Sequence, residues 1–230
     1  MYYYTSYLLF VLPAMIFVLI AQAMVNSSYK KYREIGSRSH KTGAQVASEI
    51  LHANNVNDIE IHEVKGNLTD HYDSSKKAIK LSEGVYNGTS IAAIAIAAHE
   101  SGHVIQDKEG YGFFKLRMSI VPITMFSSNI AIPIFLIGLF LGTTTGELFM
   151  KIGIALFGIA VVFQLITLPV EFNASSRALG LLSSRGILDN DEISGAKSML
   201  NAAALTYVAA LAASLGQLLR LLFMRNNRRR

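Results

Sequence analysis

The sequence predicts a mainly α-helical membrane protein carrying a small α+β domain, and three observations predict it. Charged residues make up 16% of the 230 and hydrophobic ones 51%, whereas an ordinary soluble domain carries about 25% charged residues. The apolar residues gather into four runs, each long enough for the roughly 20 residues that span a hydrocarbon core. Between the first two runs lies a polar stretch in which helical spacing, then period-two alternation, then helical spacing follow one another.

Residues 2–25, YYYTSYLLFVLPAMIFVLIAQAMV, contain no charge. The leading tyrosines suit a membrane interface. A cleaved signal peptide would want a basic start, and no Lys or Arg precedes Lys30, so the run reads as an anchor. Thr42–Asn54, TGAQVASEILHAN, places Val46, Ile50 and Leu51 on one helical face behind Thr42 as N-cap. Ile59–Val64 alternates as a strand. Leu68–Asp73 and Lys76–Ser82 read as a hairpin joined to it, giving a small antiparallel sheet. Thr89 or Ser90 can cap a helix starting at Ile91.

Two further apolar runs, 119–142 and 149–170, are separated only by GTTTGEL, a turn between membrane helices. Pro122, Pro133 and Pro169 fall in or beside them, where neighbouring helices accommodate proline. Residues 171–197 are polar again. Asn201–Met224 is a fourth apolar helix, rich in small residues that favour close helix packing. The chain therefore divides into an anchor (1–25), a catalytic domain (26–118), a transmembrane hairpin (119–170), a polar segment (171–200), and an apolar helix with a basic tail (201–230).

The chemistry sits in AAHESGHVIQ, Ala97–Gln106. Residues four apart share a helical face, so His99 and His103 present two imidazoles to one point. That is the bite of a zinc site with nitrogens at about 2.0–2.1 Å. Glu100 is rotated about 100° away, beside the metal, where it can take a proton from water that the metal acidifies. This HExxH spacing is the zincin signature. No cysteine is present, so the metal must be held by His, Asp or Glu.

A third protein ligand must come from elsewhere. A histidine at position 109 would complete one known arrangement, but Glu109 stands there and no later histidine exists. The candidates are Glu171, in PVEFNASSRA, then Asp189 downstream and His71 upstream. Topology favours Glu171. The hairpin 119–170 returns the chain to the membrane face it left, so residue 171 emerges on the side of His99 and His103. A helix through Glu171 also puts Asn173, Ser175 and Arg177 within reach for contacts to the ligands.

Three separated blocks, NLTDHYDSSKKAIKLSEGVYNGTSIAAIAIAAHESGHVIQ, LPVEFNASSRAL and LNAAALTYVAAL, resemble the YugP-type membrane zinc metallopeptidases of bacteria. More distantly the chain is similar to HtpX-like gluzincins. Ser101 and Asn173 depart from the commonest form of the pattern. The resemblance implies one Zn²⁺ per chain on His99, His103 and Glu171, with Glu100 as catalytic base. It also implies peptide-bond hydrolysis. Candidates to stabilise the transition state or steady the ligands are His71, Tyr72, Asn173, Arg177 and Tyr207.

The expected partners are a polypeptide, including membrane proteins, and the lipid bilayer. A homo-oligomer or further membrane partner is compatible with the apolar helices. No nucleic-acid motif appears, and the basic residues lie beside apolar segments, which suits anionic headgroups. Lys30, Lys31 and Arg33 after the first run, and Lys115 and Arg117 before the second, place residues 26–117 in the cytoplasm of a bacterial multi-pass plasma-membrane protein. The tail RNNRRR runs against that rule if the last helix crosses. The rival function is a noncatalytic zinc-stabilised scaffold. Glu100 distinguishes the two, because a structural site has no use for an acid beside the metal.

Overall fold

The computed structural model describes residues 2–142 and 144–228. The chain begins as helix α1 (Tyr2–Ser6), widens to a π-helical turn at Tyr7–Val11, and continues as α2 (Leu12–Arg33). Pro13 has no N–H to give the carbonyl four residues before it, and a widened turn absorbs that loss. Then come α3 (Gly43–Ala53), β1 (Glu60–Val64), β2 (His71–Asp73), β3 (Ala78–Ser82), the short α4 (Glu83–Tyr86) and α5 (Ile91–Lys108). Three long helices complete the chain: α6 (Gly112–Leu141), α7 (Thr144–Ser184) and α8 (Asn190–Arg228).

The residues form two compact units. One comprises Met1–Gln22, Lys115–Leu168 and Thr206–Arg230; the other Ala23–Phe114 and Pro169–Leu205. In the first, Phe135, Met150, Leu221 and Met224 form a buried cluster. A Cβ on Gly216 would run into the backbone carbonyl of Phe10, so only glycine lets α8 approach the first helix this closely. Among the described residues, four helices are long and apolar enough to cross a membrane: Tyr4–Arg33, Gly112–Leu141, Thr144–Ser184 and Asn190–Asn227. Large apolar side chains such as Leu19, Ile123, Phe126, Phe140 and Leu165 are exposed on them. Water would penalise that surface, whereas lipid tails would not.

The second unit is built around α5. Ser90 caps it by accepting from the Ala93 N–H, and every residue from Ile91 to Ala98 is buried. Small alanines and three isoleucines make up that stretch, so neighbours pack closely on all sides. One flank meets Ala47 and Leu51 of α3, Ile79 and Leu81 of β3, and Met199 of α8. The other meets Ile50 of α3, Ala178 and Leu182 of α7, and Leu200 of α8. Thr42 and Gln45 form a reciprocal capping box at the start of α3.

The sheet departs from the expected antiparallel form. Its order is β1-β3-β2, with β1 parallel to β3 and β2 antiparallel to β3. Burial explains the order. Ala78, Ile79, Leu81 and Ser82 of β3 are all buried, so β3 takes the centre. The polar β1 and β2 suit the edges. Parallel pairing requires a long return connection, and residues 65–77, with β2 inside them, provide it. The polar segment after residue 170 starts inside a helix, as a helix through Glu171 requires. α7 runs unbroken through Pro169 to Ser184, because a proline inside a helix removes only one backbone hydrogen bond while its neighbours hold the rest.

Candidate metal centre

α5 and α7 together position the side chains that the sequence singles out. A Cβ on Gly102 would lie 2.8 Å from the Ala174 carbonyl oxygen. The absence of a side chain there lets α7 pass directly against the turn that carries the two histidines. His99 and His103 stand one turn apart on α5, their ring centroids 4.8 Å apart and their planes at 83°. Glu171 of α7 faces both. Its Oε2 lies 3.3 Å from His99 Nε2 and 3.5 Å from His103 Nε2. Glu171 and His103 are buried and His99 nearly so.

These distances fit a metal. Bonds of about 2.0 Å to a tetrahedral ion set ligand atoms about 3.3 Å apart. One ligand atom from each of the three residues lies within 4.8 Å of the others. The far nitrogens are already engaged. His103 Nδ1–H donates to Gln106 Oε1 at 2.9 Å. His99 Nδ1 shares a hydrogen bond of 3.2 Å with Ser175 Oγ. With Nδ1 carrying the proton, the His103 Nε2 lone pair points to Glu171, as a metal ligand requires.

Glu100 lies beside this cluster and is buried. Its carboxylate accepts a hydrogen bond from the Tyr72 backbone N–H of β2. Burial pushes the carboxyl up to about 7, and the Glu171 carboxylate adds to this, while His99 and the Tyr72 N–H pull the other way. An acid titrating near neutrality can both accept and return a proton.

The raised value also makes a stability prediction for metal-free protein. Below about pH 4.5, Glu100 is protonated in folded and unfolded chains alike, and the shift costs nothing. As pH rises from there to about 7, the unfolded chain ionises and the folded one does not, so stability falls, by up to about 3 kcal/mol. Above that the loss is constant. Melting of chelator-treated protein and of the Glu100→Gln variant between pH 4 and 8 should diverge through this window. Parallel profiles would contradict the assignment.

The other sequence candidates fall in different places. Tyr72 hydroxyl donates to Asp107 Oδ2 at 2.9 Å, and burial with that carboxylate holds the phenol above its ordinary range. Its ring stacks on Phe114, which also lies 6.2 Å from the His103 ring. Asn173 touches neither histidine; its Oδ1 accepts from Gln106 Nε2 at 2.9 Å and from Arg177 Nε at 2.7 Å. Arg177 pairs with Glu109 at 2.7 Å. His71 is exposed on β2, its Nδ1 bonded to the Thr69 carbonyl. Asp189 is exposed and bound to Arg38 at 2.7 Å. Tyr207 belongs to the other compact unit. Gln106 was not anticipated. Its one sequence signal is its place three residues after His103, on the same helical face.

Comparison with known proteins points to a zinc peptidase family. The model of a family described as "Putative neutral zinc metallopeptidase" matches residues 7–226. The "Putative membrane protease YugP" of Bacillus subtilis strain 168 is 48% identical over 200 residues, which cover 87% of this chain and 88% of that protein. No solved structure matches.

Proposed function

The chain belongs to the neutral zinc metallopeptidase family, and from that premise we propose that it is a membrane-bound zinc metalloendopeptidase of the gluzincin type. The observation that carries the reading is the convergence of Glu171 on His99 and His103 with buried Glu100 alongside. His99, His103 and Glu171 would hold the ion. Zinc in such a site supplies Lewis acidity, which acidifies water and polarises a carbonyl. Glu100 takes the proton from the attacking water and returns it to the leaving amine. The Tyr72 N–H and burial keep its carboxyl fixed and close to neutrality in pKa.

Among the described residues β2 is an edge strand, paired with β3 alone, and its Tyr72 backbone meets Glu100. An extended peptide laid along that edge would gain main-chain hydrogen bonds and arrive beside the base. Of the candidate donors for the developing oxyanion, Tyr72 and Arg177 are tied to Asp107 and Glu109. His71 stands exposed on the same strand and is the side chain best placed to reach a peptide there.

In this reading the apolar helices lie in a bacterial plasma membrane, and Lys30, Lys31 and Arg33 after the first run with Lys115 and Arg117 before the second favour the cytoplasmic face for the catalytic residues. Membrane and membrane-proximal proteins are the substrates in reach. Detergent-purified protein should cleave an unfolded polypeptide, stop on chelation and recover with zinc. Zinc binding without any cleavage over a panel of unfolded polypeptides would instead make the chain a metal-stabilised scaffold.

A further inference from the structure

We infer that Gln106 is a positioning residue of the metal centre, fixing the tautomer of His103 and the place of Glu171 through one fully buried amide. The inference rests on the zinc reading above. Gln106 has no solvent exposure; both amide hydrogens are used and Oε1 is engaged. Oε1 accepts from His103 Nδ1–H at 2.9 Å, and Nε2 donates to Val170 O at 2.8 Å and to Asn173 Oδ1 at 2.9 Å. Val170 precedes Glu171 by one residue and Asn173 follows it by two. The amide therefore pins α7 on either side of the carboxylate while holding a ring on α5. Two of the three proposed ligands depend on it.

The orientation of the amide is forced from outside. A guanidinium can only donate, so Arg177 Nε, 2.7 Å from Asn173, requires an oxygen there. Asn173 Oδ1 then demands a donor from Gln106, as does the Val170 carbonyl. Gln106 must present Nε2 to both and Oε1 to His103. His103 must in turn carry its proton on Nδ1, leaving Nε2 bare. Glu109, at 2.7 Å from Arg177, anchors the far end of this relay. Each link follows from the one before, so the protonation pattern of a buried imidazole is set from Arg177 inward.

A packing role and a positioning role differ in what rescues the loss. Gln106→Leu keeps most of the volume and removes every polar contact. Gln106→Glu keeps the acceptor for His103 Nδ1–H, the carboxylate–histidine pairing that steadies a ligand imidazole, and gives up only the two donor contacts to α7. Zinc affinity is read by competition with a chromophoric chelator, and coordination by the visible spectrum of the cobalt(II) form, whose intensity reports tetrahedral geometry. Gln106→Leu should fold but melt below wild type when metal-free, because the buried His103 Nδ1–H is left unpaired, bind zinc roughly 10- to 100-fold more weakly, and lose cobalt intensity. Gln106→Glu should return affinity to within about tenfold of wild type. Wild-type affinity in Gln106→Leu, or equal loss in both variants, overturns the inference. If Gln106→Leu does not fold, Asn173→Leu takes its place, with about tenfold weaker zinc expected and wild-type affinity as the refuting result. Failure of wild-type protein to bind zinc would refute the metal reading itself and is separately visible.

Discussion

Glu100→Gln should retain one zinc per chain and lose hydrolysis by roughly 10²- to 10⁴-fold, the range that a positioned acid–base group contributes. Glutamine has the shape of glutamate, and its oxygen can still accept the Tyr72 backbone N–H that now binds Glu100. Packing around this buried position is unchanged. What disappears is the ability to hold a proton between water and the leaving amine. The variant should also be no less stable than wild type near pH 7, since it removes a carboxyl whose ionisation burial opposes. The check is kcat on an unfolded polypeptide beside metal analysis of the same preparation. Full activity would remove Glu100 as the base. Loss of zinc together with activity would make it a part of the metal site.

Glu171→Ala should cost zinc affinity more than 100-fold or so, beyond what losing an outer partner of a ligand costs. The carboxylate stands 3.3 and 3.5 Å from the two Nε2 atoms, and no cysteine is available to replace it. Among the described residues, the one group of three His, Cys, Asp or Glu placed to share an ion is His99, His103 and Glu171. Two imidazoles alone leave half of a tetrahedral shell to water. Glu171→Gln keeps a neutral oxygen at the same place and should fall between the two. Chelator competition on metal-free protein measures all three. Unchanged affinity in Glu171→Ala would exclude it as a ligand.

Local chemistry made much of this legible in the sequence. The Thr42 cap, a cap at Thr89 or Ser90 and the HExxH turn are each local signals; Thr42 caps α3, with Gln45 completing a capping box not anticipated from the sequence, and Ser90 caps α5. The tight break between α6 and α7 likewise follows from a short polar gap between two apolar runs. Long-range choices were less legible. Which strand takes the centre of the sheet depends on what packs on its two faces, and that is decided by α3, α4 and α5 rather than by sequence neighbours. Reading the three strands as a meander therefore missed the parallel pairing of β1 with β3. α7 continues through Pro169, in keeping with proline being accommodated inside a packed helix.

The relay through Gln106 was hidden for the same reason. Its partners Val170 and Asn173 lie 64 and 67 residues away, and a glutamine in an apolar helix carries no signal of what it will meet. The approach of Glu171 to the histidines was foreseeable only because a hairpin of two membrane runs constrains where its end emerges.

X-ray absorption at the zinc edge on detergent-purified protein tests the central claim most directly, namely that α5 and α7 grip one ion between them. The account predicts a shell of nitrogen and oxygen atoms at about 2.0–2.1 Å containing two imidazoles, and loss of that ordered shell in Glu171→Ala. A zinc environment without paired imidazoles, or one identical in wild type and Glu171→Ala, would contradict it.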